Sequence, residues 1–344
     1  MATPQQPAGG ASASKTIEQA RKVGYVAFLQ RVPFAVDAHR LGYATGICED
    51  YTLQQSQYAN VDVPVSVLDN DFRDPDVERW TRVFERHEPN VGIIGDAFTE
   101  AEAREYVEVA QELRRAYPEA TLVIVPKCEA AFDVIPDWVV LGYPAGSHAG
   151  KADHTPEEYS ALADWRGRRL HLLGGAPQRR WTLIQELTQP TVTGLEPANI
   201  VGMDYNGFFA NALRYGDVWY PVQPHWRTHD DSSLRERVRM SLEHAKAYWQ
   251  QRGVWATHED QSAVLSPDDP VFATRGTPFD PTEAELFDCE FGQPGGDEGS
   301  GVLVEYDDGI VLAYTSQKHR RFLEHRTGVY REHGDPQRVR AQQS

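Results

Sequence analysis

Apolar runs of four to seven residues return along the first 203 positions: GYVAF at 24–28, RLGYATG at 40–46, VPVSVL at 63–68, VGII at 91–94, TLVIV at 121–125, WVVLG at 138–142, RLHLL at 169–173 and NIVGM at 199–203. Most are rich in Val, Ile and Leu and lack a clean alternation of apolar and polar positions, which is the pattern of strands covered on both faces. Helical patterns lie between several of them. DPDVERWTRVFERH offers Asp74 as an N-cap with Pro75 at the first helical position, and TEAEAREYVEVAQELRRAY opens on a Thr99-x-x-Glu102 capping box. APQRRWTLIQELTQ spaces Trp181, Ile184 and Leu187 along one face.

Strands alternating with helices imply parallel pairing. Eight such strands predict a (β/α)₈ barrel rather than an open doubly wound sheet, with a less regular opening where the first two strands lie close together. LRERVRMSLEHAKAYWQQRG at 234–253 reads as a long amphipathic helix that closes the wall. The small, Pro/Gly-rich residues 1–15 are expected to be disordered, and the barrel to span 16–260. From 265 to 344 the texture changes to loops and one β-hairpin, GVLVEYDDGIVLAYTS, turning at Asp308-Gly309; this is a small C-terminal β-containing appendage. The basic cluster KHRR at 318–321 follows it and reads as solvated surface.

Composition narrows the class. A chain of 344 residues, 40% hydrophobic with a mean hydropathy of -0.55, can bury one large core. No run approaches the roughly 18 apolar residues of a membrane span, and the N-terminus has no basic region followed by an apolar stretch, so a cytoplasmic protein is expected. Cys48, Cys128 and Cys289 are odd in number and widely separated, which offers neither a disulfide framework nor a zinc knuckle. The charge is -17, from 51 acidic against 34 basic residues, and only six of the latter are lysine. Dense carboxylates with arginine in place of lysine suggest a high-salt cytoplasm, the plainer alternative being an ordinary acidic protein. The sign argues against nucleic-acid binding through a broad basic face. In strong salt, a nucleic-acid enzyme would lean on local arginines and base contacts.

In a barrel of this kind, residues just past the C-terminal ends of the strands converge on one rim. SVLDND supplies Asp69, GIIGDAF supplies Asp96, VIVPKC supplies Lys127, VLGYPAG supplies Gly142 and Tyr143, LHLLGGAP supplies Gly174 and Gly175, and IVGMDYN supplies Asp204. An aspartate after a strand often only starts a turn or caps a helix, and Asp71 and Asp74 fit that role. Asp69, Asp96 and Asp204 abut apolar runs directly, where desolvation raises a carboxyl's pKa or demands a partner. Gly174-Gly175 either brings backbone close to a ligand or merely tightens a turn; Pro177 then starts a helix whose free N–H groups, with Arg179 and Arg180, offer a phosphate site. His171, inside a strand, reads as a satisfied core residue. The scattered His148, His154, His171, His225 and His229 form no metal-ligand set, so neither metal nor cofactor is implied.

The order LDND, GD, VPK, LGYPAG, LHLLGGAP, GMDYN over roughly residues 60–220 resembles the tRNA-guanine transglycosylase superfamily, especially its viral and bacterial branch that installs 7-deazaguanines in DNA. The resemblance implies a barrel that exchanges a guanine for a free 7-deazaguanine base without breaking the sugar-phosphate chain. It makes Asp204 the nucleophile, Asp69 the acid/base, Asp96 the carboxylate that reads the guanine edge, and Gly142 a backbone contact to the base. Tyr143, Tyr205 or Phe98 would stack on the base, though each is equally explained as core edge, and Arg179 and Arg180 would contact phosphates. Two departures stand out. Pro126-Lys127 replaces a glutamine frequent in the family, so recognition of the base carbonyl either falls to an ammonium or is lost, and the cysteine-rich zinc motif of the tRNA enzymes is absent, which points to DNA rather than tRNA. A non-catalytic nucleobase-binding barrel acting as an accessory subunit is the competing expectation, favoured by Lys127; metal-dependent hydrolysis is a third.

Overall fold

The computed structural model describes residues 22–31, 34–49, 63–72, 74–144, 155–229 and 231–255, and three strands between 285 and 314. Eight parallel strands close a barrel in sequence order: β1 (Tyr25–Phe28), β2 (Ala44–Cys48), β3 (Val67–Asp69), β4 (Val91–Ala97), β5 (Thr121–Pro126), β6 (Val140–Pro144), β7 (Arg169–Leu173) and β8 (Asn199–Asp204), with β8 pairing back onto β1. Helices α1 (Phe34–Arg40), α2 (Val77–His87), α3 (Glu100–Ala116), α4 (Glu129–Val134), α5 (Pro156–Tyr159), α6 (Leu162–Trp165), α7 (Pro177–Thr188), α8 (Gly207–Tyr215) and α9 (Leu234–Gln250) follow the strands. A two-stranded ribbon, β9 (Asp217–Trp219) with β10 (Trp226–Thr228), is inserted before α9. The Val23 N–H donates to the Val254 carbonyl at 3.0 Å and ties the end of the last helical segment to the first strand.

Local chemistry sets the helix limits. Thr99 and Glu102 form the expected capping box at α3, and Ser233 with Glu236 forms another at α9. The N-cap of α2 is Asp76, whose carboxylate accepts from the Arg79 N–H at 2.8 Å, not Asp74 as the Pro75 spacing suggested. The expected second strand at 40–46 also moves: residues 34–40 form α1, Gly42 turns the chain with φ 84, and β2 begins only at Ala44. The appendage holds a third antiparallel strand that the sequence pattern did not show, in the order β11 (Glu285–Phe291), β12 (Gly299–Glu305), β13 (Val311–Tyr314). The Asp308-Gly309 turn, residues 1–15 and the 318–321 cluster lie outside the described residues.

Two separate apolar layers show which way each strand residue points. Ala27, Leu29, Val67, Val91, Ile93, Val123, Val125 and Val140 pack on one another inside the barrel. Val26, Phe28, Leu68, Ile94, Ile124, Leu141, Leu170, Ile200 and Met203 pack outward against the helices. The strict period of two along a strand then turns Asp69 inward, two residues after Val67. The same count would turn Asp96 and Asp204 outward, and at both a β-bulge reverses it. The β4–β5 register skips Ile94, so Ile94 and Gly95 both face the helices, a Cβ at 95 meeting the Tyr106 ring of α3 at 2.8 Å. The β7–β8 register skips Val201, so Val201 and Gly202 both face inward. Each bulge re-aims the aspartate beyond it into the barrel.

Candidate active site

Asp204 ends β8 level with Ala27 of β1 and is 7% exposed. Its Oδ2 lies 2.8 Å from Nε2 of His171 on β7, and its Oδ1 accepts from the Gly174 N–H at 3.1 Å. Gly174 and Gly175 hold φ 60 and 81, a left-handed pair that only glycine adopts without strain, and this turns the 174 amide toward the carboxylate. His171 Nδ1 is in turn 2.6 Å from the Tyr25 hydroxyl on β1. The histidine is therefore a core residue, as expected, but one bonded to the central carboxylate. Burial, and then the Asp204 charge, push the Tyr25 phenol well above its usual value, with Arg169 opposing.

Asp69 ends β3 beside Cys48 of β2. Burial pushes its carboxyl well above the usual carboxylate range, and the charge of Asp204 raises it further; the Asn70 N–H, donating to Oδ1 at 2.9 Å, opposes, while Asp96 and Glu49 add to the rise. Asp69, Asp96 and Asp204, separated along the chain, thus share one electrostatic environment inside the barrel.

Glu49 is a fourth carboxylate that the sequence pattern missed. Its side chain is buried, its carboxyl raised by burial, and Cys48 Sγ at 3.4 Å and Arg79 Nη2 at 3.3 Å bond to it. Its signal is the ICED stretch, an acid just past an apolar run, which lies beyond the expected strand end at 46 but directly after the true one at Cys48.

Asp96 is paired with Lys127, whose Nζ lies 3.7 Å from Oδ2 and 5.9 Å from the centre of the Phe98 ring. Lys127 is 7% exposed, and its own N–H extends the β4–β5 ladder by donating to the Ala97 carbonyl at 2.8 Å.

Three expected contacts look different in three dimensions. Tyr143 points outward, since Val140 faces inward on the same strand, and its ring packs on Trp165 at 4.6 Å between barrel and helices; it is core, and burial raises its phenol to about 12. Gly142 does face inward, but a Cβ there would meet Val125 at 2.6 Å and Leu173 at 2.8 Å, so packing inside the barrel already accounts for the glycine. Arg180, 3% exposed, spends its guanidinium on the Gly174 carbonyl and, at 3.5 Å, on the Tyr143 carbonyl, so it braces the site instead of reaching a phosphate; burial lowers it to about 10. Arg179 is exposed and acts electrostatically on Tyr205. A gap with room for about one water reaches Asp204 from the layer between barrel and helices, where Val26, Tyr43, Met203, Phe208, Ala245 and Trp249 bound it. Among the described residues, no three His, Cys, Asp or Glu side chains are grouped to hold a metal ion, and no helix is long and apolar enough to cross a membrane.

The solved structures to which the chain is similar include two aldolases. The YdjI aldolase from Escherichia coli K12 is 12% identical, covering 72% of this chain and 96% of its own with a TM-score of 0.41. The fructose-bisphosphate aldolase (Fba) from Campylobacter jejuni is 10% identical, covering 71% and 92%, with a TM-score of 0.38. No curated protein matches the chain. Residues 38–250, from α1 through the carboxylate-bearing strand ends to the last turn of α9, match the sequence profile of a family described as of unknown function (DUF6610), and the chain belongs to that family.

Proposed function

We propose that the protein is a base-exchange transglycosylase that replaces a guanine in DNA with a free 7-deazaguanine. The observation that carries this reading is the contrast between Asp69 and Asp204, two inward-facing carboxyls at one end of the barrel. Asp204 meets the Gly174 N–H at Oδ1 and His171 Nε2 at Oδ2, whereas Asp69 meets the Asn70 N–H alone, and burial among like charges favours its protonated form. A carboxyl held protonated near a second one that faces the same interior is the arrangement that can divide acid from nucleophile. Asp204 attacks C1′ of the target nucleotide while the bond from C1′ to the base nitrogen breaks, and Asp69 gives its proton to the departing guanine. The incoming base then loses its ring N–H proton to the Asp69 carboxylate, its nitrogen bonds to C1′, and the C1′–O electron pair returns to Asp204.

Base choice fits the second ion pair. Asp96 offers an acceptor to the N1–H and exocyclic amine of guanine, and Lys127 offers a donor to its carbonyl, a combination that adenine does not match. The target base must leave its stack or be presented in a single strand. Labelled guanine is expected to enter a guanine-containing DNA oligonucleotide with the wild type, with a protein–DNA adduct on a denaturing gel, and both signals should vanish in Asp204→Asn. Wild type that labels neither DNA nor tRNA would end the proposal.

The accessory, binding-only reading is favoured by one observation, that Asp96 is already engaged by Lys127. On that reading, wild type and Asp204→Asn bind a free deazaguanine alike and neither exchanges it.

A further inference from the structure

Tyr25, His171 and Asp204 form a row in which the two inner members are buried and the half-buried Tyr25 closes the end. His171 is wholly buried, so both ring nitrogens must find partners, and both do: Nε2 at 2.8 Å from Asp204 Oδ2 and Nδ1 at 2.6 Å from the Tyr25 hydroxyl. The tautomer follows from the chemistry of the ends. On the base-exchange reading Asp204 acts as a carboxylate, which can only accept, so Nε2 carries the proton; Nδ1 is then an acceptor, and the Tyr25 O–H donates to it. The phenol suits that role, because burial and the Asp204 charge keep it protonated.

The strands are shaped to allow the contact. The β8 bulge turns Gly202 inward level with Tyr25, and a Cβ at 202 would land in the Tyr25 ring. The bare backbone lets the ring lie where it stacks on the imidazole, centroids 5.5 Å apart and planes 29° from parallel. One irregularity in one strand thus aims the carboxylate and also makes room for the group that orients its partner.

We propose that Tyr25 and His171 are positioning residues for Asp204, holding its orientation and favouring its departure as a carboxylate when the glycosyl-enzyme breaks down. The inference rests on the base-exchange reading above. An N–H aimed at Oδ2 stabilises negative charge there, which matters most in the second half of the reaction, when the electron pair of the C1′–O bond returns to the carboxylate. Loss of that donor therefore slows breakdown of the intermediate more than its formation.

Guanine exchange into a DNA oligonucleotide should be measured for wild type, Tyr25→Phe, His171→Leu and His171→Gln, together with the fraction of enzyme trapped as adduct. The expected results are a kcat lower by about 10-fold in Tyr25→Phe and by about 100-fold in His171→Leu. KM for the oligonucleotide should fall together with kcat, and more adduct should accumulate. Glutamine, whose amide N–H reaches the place of Nε2, should restore most of the rate. Unchanged kcat in both variants, or a fall in rate with less adduct, would overturn the assignment. Nitrogen-15 NMR of labelled histidine in the wild type needs no turnover and separates this idea from the function: a neutral His171 protonated at Nε2, shifted in Tyr25→Phe, supports the chain even if no base is exchanged, in which case the transglycosylase reading alone falls. A proton on Nδ1 would refute the chain whatever the activity.

Discussion

The Lys127 ammonium lies 3.7 Å from the Asp96 carboxylate inside the barrel, and the two residues arrive there by different routes. Lys127 continues the inward parity of Val123 and Val125, whereas Asp96 faces inward only because the chain bulges at Ile94. The pair is asymmetric in burial, with side-chain exposures of 7% for the lysine and 20% for the aspartate.

That asymmetry predicts unequal costs. Asp96→Asn leaves a nearly buried ammonium without its counter-charge and should destabilise the fold by about 3 kcal/mol. Lys127→Met keeps the apolar stem and leaves behind the more solvated partner, so its cost should be under about 1.5 kcal/mol. Urea denaturation midpoints at neutral pH compare the two directly, and equal losses would mean that the lysine is not the buried member that matters.

A pH dependence follows from Asp69. Its folded-state carboxyl is raised, first by burial and then by Asp204, so the unfolded chain releases that proton more readily than the folded one. The stability tied to its protonated form is fully present below the ordinary carboxylate value and is lost as pH rises through the raised one. Asp69→Asn removes the loss and can keep the oxygen that accepts from Asn70. At pH 8 the variant should be more stable than wild type by about 1 kcal/mol or more, with the gap closing near pH 3. Parallel urea titrations across that range test the sign, and a variant less stable at pH 8 would contradict it. On the base-exchange proposal, exchange should also fall in the variant at every pH.

The barrel was legible because its strands are covered on both faces and stand out as apolar runs, and the capping box at Thr99 and Glu102 could be read letter by letter. The same double coverage hid the facing of each residue. With no polar face along β6, nothing in LGYP says that Gly142 points inward and Tyr143 outward. The two bulges did leave a trace, a glycine inside each strand pattern, Gly95 (after Gly92) in GIIGDAF and Gly202 in IVGMD. Glu49 escapes the sequence pattern because the apolar run at 40–46 ends short of it, whereas β2 runs on to Cys48. His171 could not be separated from an ordinary buried histidine, since its partners lie 33 and 146 residues away along the chain.

Gly202 offers a test of the bulge itself. A methyl at this position overlaps the Tyr25 ring, so Gly202→Ala should lower stability by about 2 kcal/mol. Adding Tyr25→Leu, which frees that space, should recover part of the loss although Tyr25→Leu alone is destabilising. Thermal or urea unfolding of the four proteins in this double-mutant cycle gives the coupling directly. Strictly additive losses would mean that the glycine is needed for the strand's path and not for the ring.

Adjacent arginines at the start of α7 should behave as different kinds of residue. The Arg180 guanidinium is buried and bonded to the Gly174 and Tyr143 carbonyls, so Arg180→Met strands both acceptors and loosens the glycine pair whose amide holds Asp204; a loss of about 2 kcal/mol is expected, with reduced activity. Arg179 is exposed, and its replacement by alanine should change stability by no more than about 0.5 kcal/mol. If it touches the DNA backbone, Arg179→Ala weakens binding of all sequences alike, and log K against log salt becomes shallower by about one. Fluorescence anisotropy with a labelled oligonucleotide at several salt concentrations measures that slope. An unaltered slope would remove Arg179 from the interface, while a folded, fully stable Arg180→Met would remove Arg180 from the scaffold behind the active carboxylate.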